Sequence, residues 1–198
     1  AMRKKNRENS NINWEKLFKI LNQLKADMKL HFPYKVLDVD GAEADDIIAT
    51  LTMEYHNKEK IIICSSDGDF KQLQKYNNVK QYNPTTGTFI KSPNVEKELK
   101  EKIIRGDAGD GLTNILSQDD CFIIGKRQTP ISSKKIELWI DKNPEEFCTE
   151  EMLIKYNRNK NLIDFQQIPT NIKESILNTY KKTNIGSRNS LYRYFVCM

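Results

Sequence analysis

The sequence predicts an α/β fold, in which a parallel-rich sheet flanked by helices is followed by a mainly helical carboxyl-terminal region. The stretch KIIICS at residues 60–65 is almost continuously apolar, as strands covered on both faces of a parallel sheet are. Helical periodicity lies on both sides of it, and from Ile131 onward the pattern is mostly helical. A chain of 198 residues can bury one good core and a small second lobe.

Helices and strands alternate in the first half of the chain. In order, the patterns predict a helix over 14–31 that Pro33 ends, a strand over 34–39, a helix over 43–55, a strand over 60–65 and a short helix over 69–76. Strands joined by crossover helices are typical of a parallel sheet.

Turn residues and helix-start signals organise the second half. The run Asn83-Pro84-Thr85-Thr86-Gly87 predicts a hairpin between strands over 79–83 and 88–91. Ser92 and Pro93 predict the N-cap and first residue of a helix that Gly106 can end. Further helices are predicted near 131–142, 149–162, 170–182 and 187–196. We therefore expect an α/β core over residues 1–105 and a helical region over residues 106–198.

Acidic residues are concentrated in blocks within a basic chain. The formal net charge of +5 is too mild by itself to indicate a nucleic-acid partner. Residues 1–35, however, hold nine Lys and Arg against three acids, whereas residues 36–70 hold two against nine. A solvated surface normally intersperses the two signs, so the acidic block either neutralises the basic one or surrounds a positive ligand such as a metal ion.

Composition excludes several classes of protein. No stretch approaches the roughly 20 apolar residues of a membrane-spanning helix, and no apolar run of the signal-peptide type occurs at the amino terminus. We therefore expect a cytoplasmic protein without a membrane partner. The four cysteines are far apart and form no CxxC motif, so neither a zinc site nor a disulfide framework is expected.

Three acidic clusters carry the candidate chemistry. They consist of Asp38, Asp40, Glu43, Asp45 and Asp46, then Asp67 and Asp69, then Asp107 and Asp110. The first two follow predicted strands, and ligands of open α/β sheets bind beyond the carboxyl ends of strands. Gly68 is expected to allow a tight turn between its neighbouring carboxylates. Hard oxygen ligands of this kind suit Mg²⁺ or Mn²⁺.

A divalent cation would relieve the repulsion between converging carboxylates. Two bare charges roughly 4 Å apart repel by about 4 kcal/mol at an effective dielectric constant near 20. The alternative is that these acids act separately as helix N-caps and as partners of helix dipoles. That alternative is strongest for Asp46 and weakest for the pair Asp67 and Asp69.

Three motifs, in their order and spacing, resemble those of the flap-endonuclease-type 5′ nucleases, and in particular the T-even bacteriophage branch of that family. They are Glu43-Ala44-Asp45-Asp46, Ser66-Asp67-Gly68-Asp69-Phe70 and Gly106-Asp107-Ala108-Gly109-Asp110. The similarity covers nearly the whole chain, including Lys4-Lys5-Asn6-Arg7, Trp14, Arg127-Gln128-Thr129-Pro130, Leu162-Ile163-Asp164-Phe165 and Tyr194-Phe195-Val196.

The resemblance implies a PIN-like 5′ nuclease fold and a nuclease with ribonuclease H activity that removes RNA primers and 5′ flaps during DNA replication. It implies two Mg²⁺ ions, for which Mn²⁺ can substitute. The implied metal ligands are the catalytic carboxylates Glu43, Asp45, Asp67 and Asp69, then Asp107 and Asp110 at a second, looser position, with Asp46 as a weaker member. The implied partners are DNA and RNA–DNA duplexes with 5′ flaps or nicks, and a single-strand-binding protein or sliding clamp.

Two groups of basic residues are candidates for nucleic-acid contacts. By resemblance, Arg3, Lys4, Lys5 and Arg7 end a phosphate-contacting helical arch, and the segment 106–130 grips the duplex. We also predict phosphate contacts by Lys126, Arg127, Lys134 and Lys135. Ordinary solvated surface charge is the alternative for each of them.

Departures from the family pattern keep other functions open. Residues 110–114 replace the Asn-Ile-Pro-Gly type of run seen in cellular members. The chain begins at what resembles the trailing end of the arch, so we expect the family's first two catalytic aspartates to be missing. A non-catalytic nucleic-acid-binding fragment, or half of a split nuclease completed by a separate amino-terminal half, is therefore the main alternative. A haloacid-dehalogenase-type phosphatase using Asp38 or Asp40 as nucleophile is less favoured, because Ala42 stands where that family has a hydroxyl.

Overall fold

The computed structural model describes residues 12–196, and its internal contacts divide the chain into two compact units. Within the described residues, one unit comprises 12–43 together with 174–196, and the other comprises 44–173. The second unit contains the sheet and most of the helices.

The first unit is helical. Helix α1 (Trp14–His31) begins at Asn13, whose side chain accepts a hydrogen bond from the Lys16 backbone N–H at 2.9 Å. Near its end, the His31 ring stacks on Tyr194 with 4.9 Å between ring centroids. The Tyr194 hydroxyl also donates to Asp27 at 3.1 Å. The predicted helix over 14–31 is therefore confirmed, and its last turns are held by aromatic and polar contacts rather than by fully buried residues.

The predicted strand over 34–39 is wrong. These residues are irregular, and none of the three described strands pairs with them. Lys35 instead donates to the Tyr180 carbonyl at 2.5 Å and lies over the Tyr180 ring. A strand is stabilised by the hydrogen bonds of its neighbours, so an apolar run without a pairing partner does not become one.

In the second unit, the described strands form one mixed sheet of order β1-β2-β3. Strand β1 (Ile61–Cys64) runs parallel to β2 (Val79–Asn83), and β2 runs antiparallel to β3 (Thr88–Ile90). The predicted α/β fold and the hairpin are thus confirmed. The expectation that β1 is covered on both faces is wrong, because the side chain of Ile62 is 57% exposed.

Helix α2 (Ala44–Tyr55) and a 3₁₀ helix (Gly68–Lys75) pack beside the sheet. The short helix predicted over 69–76 is thus confirmed, and it is of the 3₁₀ type. Their shared core cluster consists of Ala49, Ile63, Phe70, Leu73, Val79, Phe165 and Ile168. This core fixes the segment that follows β1, where the second acidic cluster lies.

Outside the sheet the second unit is mainly helical, but residues 106–132, which were expected to belong to the helical region, form turns and irregular backbone. Its helices are α3 (Val95–Arg105), α4 (Ser133–Trp139), α5 (Pro144–Phe147), α6 (Glu150–Ile163), a 3₁₀ turn (Phe165–Gln167) and the start of α7 (Thr170–Lys182); α8 (Arg188–Val196) belongs to the first unit. Helix α5 was not predicted, since four residues are too few to show periodicity. A second core cluster joins α3, α4 and α6 through Ile103, Ile104, Ile115, Ile131, Ile136, Tyr156 and Ile163. No helix within residues 12–196 is both long and apolar enough to span a membrane.

The two ends of α3 are built by different residues. Its N-cap is Asn94, which accepts from the Lys97 backbone N–H at 3.0 Å, and not Ser92 as predicted. The Ser92 hydroxyl donates to Glu98 at 2.8 Å instead. At the other end Gly106 terminates the helix, as predicted, with φ 68° and ψ −169°. This backbone conformation is essentially restricted to glycine.

We predict that Gly106→Ala lowers the free energy of unfolding by about 3 kcal/mol, as measured by denaturant titration. A Cβ there would lie 2.5 Å from the Leu112 carbonyl oxygen and 2.6 Å from that of Thr113. Gly68→Ala is the control, because a Cβ at Gly68 meets nothing within 4 Å. Equal stability of the two variants would contradict this account of Gly106.

Candidate functional site

The second acidic cluster, Asp67 and Asp69, lies in a turn that directly follows the carboxyl end of β1. The Asp67 side chain caps the 3₁₀ helix by accepting from the Asp69 backbone N–H at 3.0 Å. The Ser65 hydroxyl accepts from the Asp67 N–H at 3.1 Å. Gly68 is not among the glycines of positive φ, so the expected reason for its presence is wrong. The turn is made by the aspartate cap and does not require a left-handed glycine.

A buried glutamine holds the backbone of this turn through hydrogen bonds. Gln81, on β2, is fully buried, and its side-chain amide donates to the Ser65 carbonyl at 3.0 Å and to the Asp67 carbonyl at 2.6 Å. Gln74 donates to the Gln81 side-chain oxygen at 3.3 Å. The backbone on both sides of Ser66 is therefore held by one side chain from the neighbouring strand.

The third acidic cluster follows α3. Asp107 accepts through Oδ1 from the backbone N–H groups of Gly109 at 2.8 Å and Asp110 at 3.4 Å. Its side chain is 27% exposed, and its Oδ2 is directed to Lys102 on α3 at 3.0 Å. Asp110 itself is exposed. The loop thus orients one carboxylate oxygen with backbone donors and leaves the other for a cation.

Lys102 joins the second and third clusters. Its ammonium forms ion pairs with both Asp69 and Asp107, and its side chain is 29% exposed. Burial alone would lower the pKa of Lys102, but the two carboxylates raise it above its ordinary value. Burial alone would raise the pKa of Asp107, but Lys102 and the backbone donors hold it below its ordinary value. Both partners are therefore charged at neutral pH.

The first acidic cluster is divided between the two units. Glu43 belongs to the first unit, whereas Asp45 and Asp46 lie in the first turn of α2. Asp38 is on no strand, and it pairs with Lys25 at 2.8 Å and Lys29 at 3.4 Å. The strand-then-aspartate pattern that suggested a phosphatase is therefore not present at Asp38.

Among residues 12–196, no group of three or more His, Cys, Asp or Glu side chains is placed to hold a metal ion. Of the predicted metal ligands, the structure brings Asp69 and Asp107 to one shared cation, the ammonium of Lys102. The assignment of all seven predicted ligands remains a proposal.

The predicted duplex-binding cations are all exposed. Lys126, Arg127, Lys134 and Lys135 have solvent-facing side chains, and Lys135 lies over the Trp139 ring at 5.2 Å from its centroid. The four remaining candidates Arg3, Lys4, Lys5 and Arg7 lie outside the described residues.

Hydrogen bonds close the base of the loop that carries Lys126 and Arg127. The Asn114 side-chain amide donates to the Thr129 carbonyl at 2.8 Å, and the Thr129 N–H donates to the Ser117 hydroxyl at 2.9 Å. The Gln128 side chain accepts from the Asn114 N–H at 2.7 Å. The loop is thereby anchored at both ends. At its tip, Ile123 is 81% exposed.

Two residues of the site were missed in the sequence. Gln81 has a recognisable signal, because a glutamine two residues after Val79 falls on the buried face of a strand and must find hydrogen-bond partners. The sequence gives no signal for Lys102, because nothing distinguishes it from the other lysines on α3. Its partners are set by the packing of α3 against the 3₁₀ helix.

Comparison with known proteins gives consistent matches along the chain. Residues 92–198 match the family described as T4 RNase H, C terminal, and residues 2–103 match the family described as 5′-3′ exonuclease, N-terminal resolvase-like domain. Ribonuclease H of Enterobacteria phage T4 is 37% identical over 202 residues, which cover 98% of this chain and 66% of that protein. The chain thus spans slightly less than two thirds of this curated relative.

Two solved structures from phage T5 are similar. A mutant of T5 5′-exonuclease matches with a TM-score of 0.50 and 18% identity, covering 81% of this chain and 66% of the other, and shows the same fold. The T5 D15 protein co-crystallized with metal ions matches with a TM-score of 0.47 and 19% identity, covering 73% of this chain and 61% of that one.

We predict that Gln81→Leu lowers the free energy of unfolding by about 1–3 kcal/mol, because the part-buried carbonyls of Ser65 and Asp67 lose their donor. Denaturant titration measures this loss, with Gln118→Leu as the control at an exposed glutamine. If the two variants were equally stable, Gln81 would not hold the turn.

Proposed function

The chain belongs to the 5′-3′ exonuclease family, and we propose that it is a metal-dependent nuclease that acts on RNA primers and 5′ flaps in DNA replication. The observation that carries the proposal is the convergence of Asp69 and Asp107, from two separate motifs, on one cation. The proposed substrates are DNA and RNA–DNA duplexes with 5′ flaps or nicks. The proposed protein partners are a single-strand-binding protein or a sliding clamp.

The donor chemistry fits a hard divalent cation. Asp69 and Asp107 offer carboxylate oxygens that meet around one positive charge, which is the ligand type that Mg²⁺ and Mn²⁺ prefer. We propose that two Mg²⁺ ions are held by these residues together with Glu43, Asp45, Asp46, Asp67 and Asp110. When bound, such ions activate water and stabilise the leaving oxygen of a phosphodiester.

The chain's own residues position these carboxylates. Gln81 holds the backbone of the turn that carries Asp67, and the backbone N–H of Gly109 orients Asp107. Because these contacts exist before substrate binds, the backbone that presents the carboxylates is already in place.

The exposed cations provide the proposed grip on nucleic acid. Lys126 and Arg127 in the loop, with Lys134 and Lys135 on α4, bind backbone phosphates in this proposal. Such contacts position a duplex without reading its sequence.

A nucleic-acid-binding fragment is the second candidate function. It is favoured by the fact that residues 12–196 assemble no metal-holding group of three ligands. It predicts salt-dependent binding of flap duplexes with no cleavage in Mg²⁺.

We predict that the chain shortens a labelled 5′-flap duplex with an RNA-tipped flap in Mg²⁺ but not in chelator, and that Asp67→Asn abolishes this turnover. Asparagine retains the side-chain oxygen that caps the 3₁₀ helix, so the variant should stay folded by circular dichroism. Asp141→Asn, at an exposed aspartate paired with Lys97, is the control for loss of one charge. Binding without cleavage by the unmodified chain would favour the second candidate function, and full activity of Asp67→Asn would remove Asp67 from the site.

We also predict that replacing Lys126 and Arg127 together with Ala weakens duplex binding at every sequence tested. Each lost phosphate contact should reduce the slope of log K against log salt by about 1. Fluorescence anisotropy at several salt concentrations measures the slope, with Lys58→Ala as the control at another exposed lysine. An unchanged slope would show that Lys126 and Arg127 do not contact phosphate.

A further inference from the structure

Lys102 occupies the point at which two proposed metal-ligand segments meet. Asp69 comes from the 3₁₀ helix after β1, and Asp107 comes from the loop after α3, so the two carboxylates are 38 positions apart in the chain. The ammonium contacts both of them, and the side chains of all three residues are between 25% and 29% exposed. In this partly desolvated position, charge–charge interactions are stronger than at an open surface.

The position of Lys102 is built into the fold. It lies on α3, one turn before Gly106 ends the helix, and α3 packs against the 3₁₀ helix that carries Asp69. The other α3 lysines have different partners: Lys97 pairs with Asp141, and Lys100 donates to backbone carbonyls near residue 141. Among the α3 lysines, Lys102 is therefore the one whose described ion pairs are with two predicted metal ligands.

We propose that Lys102 is an internal counterion for the proposed metal centre: it holds Asp69 and Asp107 together without metal, and a divalent cation must displace it to bind there. This inference rests on the proposed metal ligands. An ammonium and a divalent cation cannot share the same carboxylate oxygens at contact distance, because their like charges repel. Lys102 is therefore a positioning residue that lowers metal affinity, and by the same contacts it prevents repulsion between the two carboxylates in the metal-free protein.

The first test measures metal affinity directly. Mn²⁺ binding, followed by electron paramagnetic resonance of the free ion, should tighten by about tenfold in Lys102→Met relative to the unmodified chain, since the competing cation is gone. Lys97→Met is the matched control, because it removes one ion-paired lysine from the same helix and the same unit of charge. Lys102→Arg should keep the weak affinity, because it retains a cation between the carboxylates. A lysine with only a structural role would not tighten metal binding when removed.

The second test needs no metal. In chelator, Lys102→Met should lower Tm by about 4 °C, and adding Asp69→Asn should restore part of that loss because one of the two repelling charges is removed. Lys97→Met should change Tm little, because its ion pair is exposed.

The outcomes separate this inference from the proposed function. If the unmodified chain binds Mn²⁺ and Lys102→Met binds it no more tightly than Lys97→Met, the counterion role is overturned while the metal centre stands. If only Lys102→Met binds Mn²⁺, the counterion role is supported and the proposed function of the unmodified chain is overturned. If neither chain binds Mn²⁺ at millimolar concentration, both proposals are overturned at these residues.

Discussion

A buried amide fixes the place where helix α3 ends. Asn159 on α6 is fully buried, and its side-chain amide donates to the carbonyls of Ile103 and Thr113, both at 2.9 Å. These two bonds tie the last turn of α3 to the chain that returns after Gly106. Since an unpaired buried amide or carbonyl costs about 1–3 kcal/mol, the three segments are held in one arrangement. Gly106 is required at the reversal because the returning carbonyls leave no room for a Cβ.

This arrangement determines the electrostatics of the site. With α3 fixed against both the 3₁₀ helix and α6, Lys102 and Asp107 have little freedom to separate. Helix α3 contributes Ile103 and Ile104 to the second core cluster. Packing places the elements that carry the two carboxylates side by side, and Lys102 pairs with both of them. Because the two carboxylates meet there, a positive charge is needed between them, and that charge comes from the protein or from a metal ion.

How far the sequence predicts this structure depends on whether a feature is local. Helices α1, α2, α6, α7 and α8 and the hairpin follow from periodicity and turn residues within each segment. The strand over 34–39 was predicted wrongly because strand pairing is not local, and the exposure of Ile62 was missed because the elements that cover a sheet face lie elsewhere in the chain. The acidic motifs were visible as clusters. Their counterion was not, since Lys102 and Asp69 are 33 positions apart in the chain and meet only through the packing of their two elements.

The two interpretations of the acidic residues, as caps and as cation ligands, are compatible because each carboxylate has two oxygens. Asp107 accepts backbone N–H groups through Oδ1 and meets Lys102 through Oδ2. Asp67 likewise caps the 3₁₀ helix through Oδ1. A carboxylate with one oxygen fixed by the backbone cannot rotate freely, so its second oxygen is held in a set direction at little further entropic cost. Local capping therefore prepares these side chains for a ligand, and the same hydrogen bonds that form the turns also determine where a cation can bind.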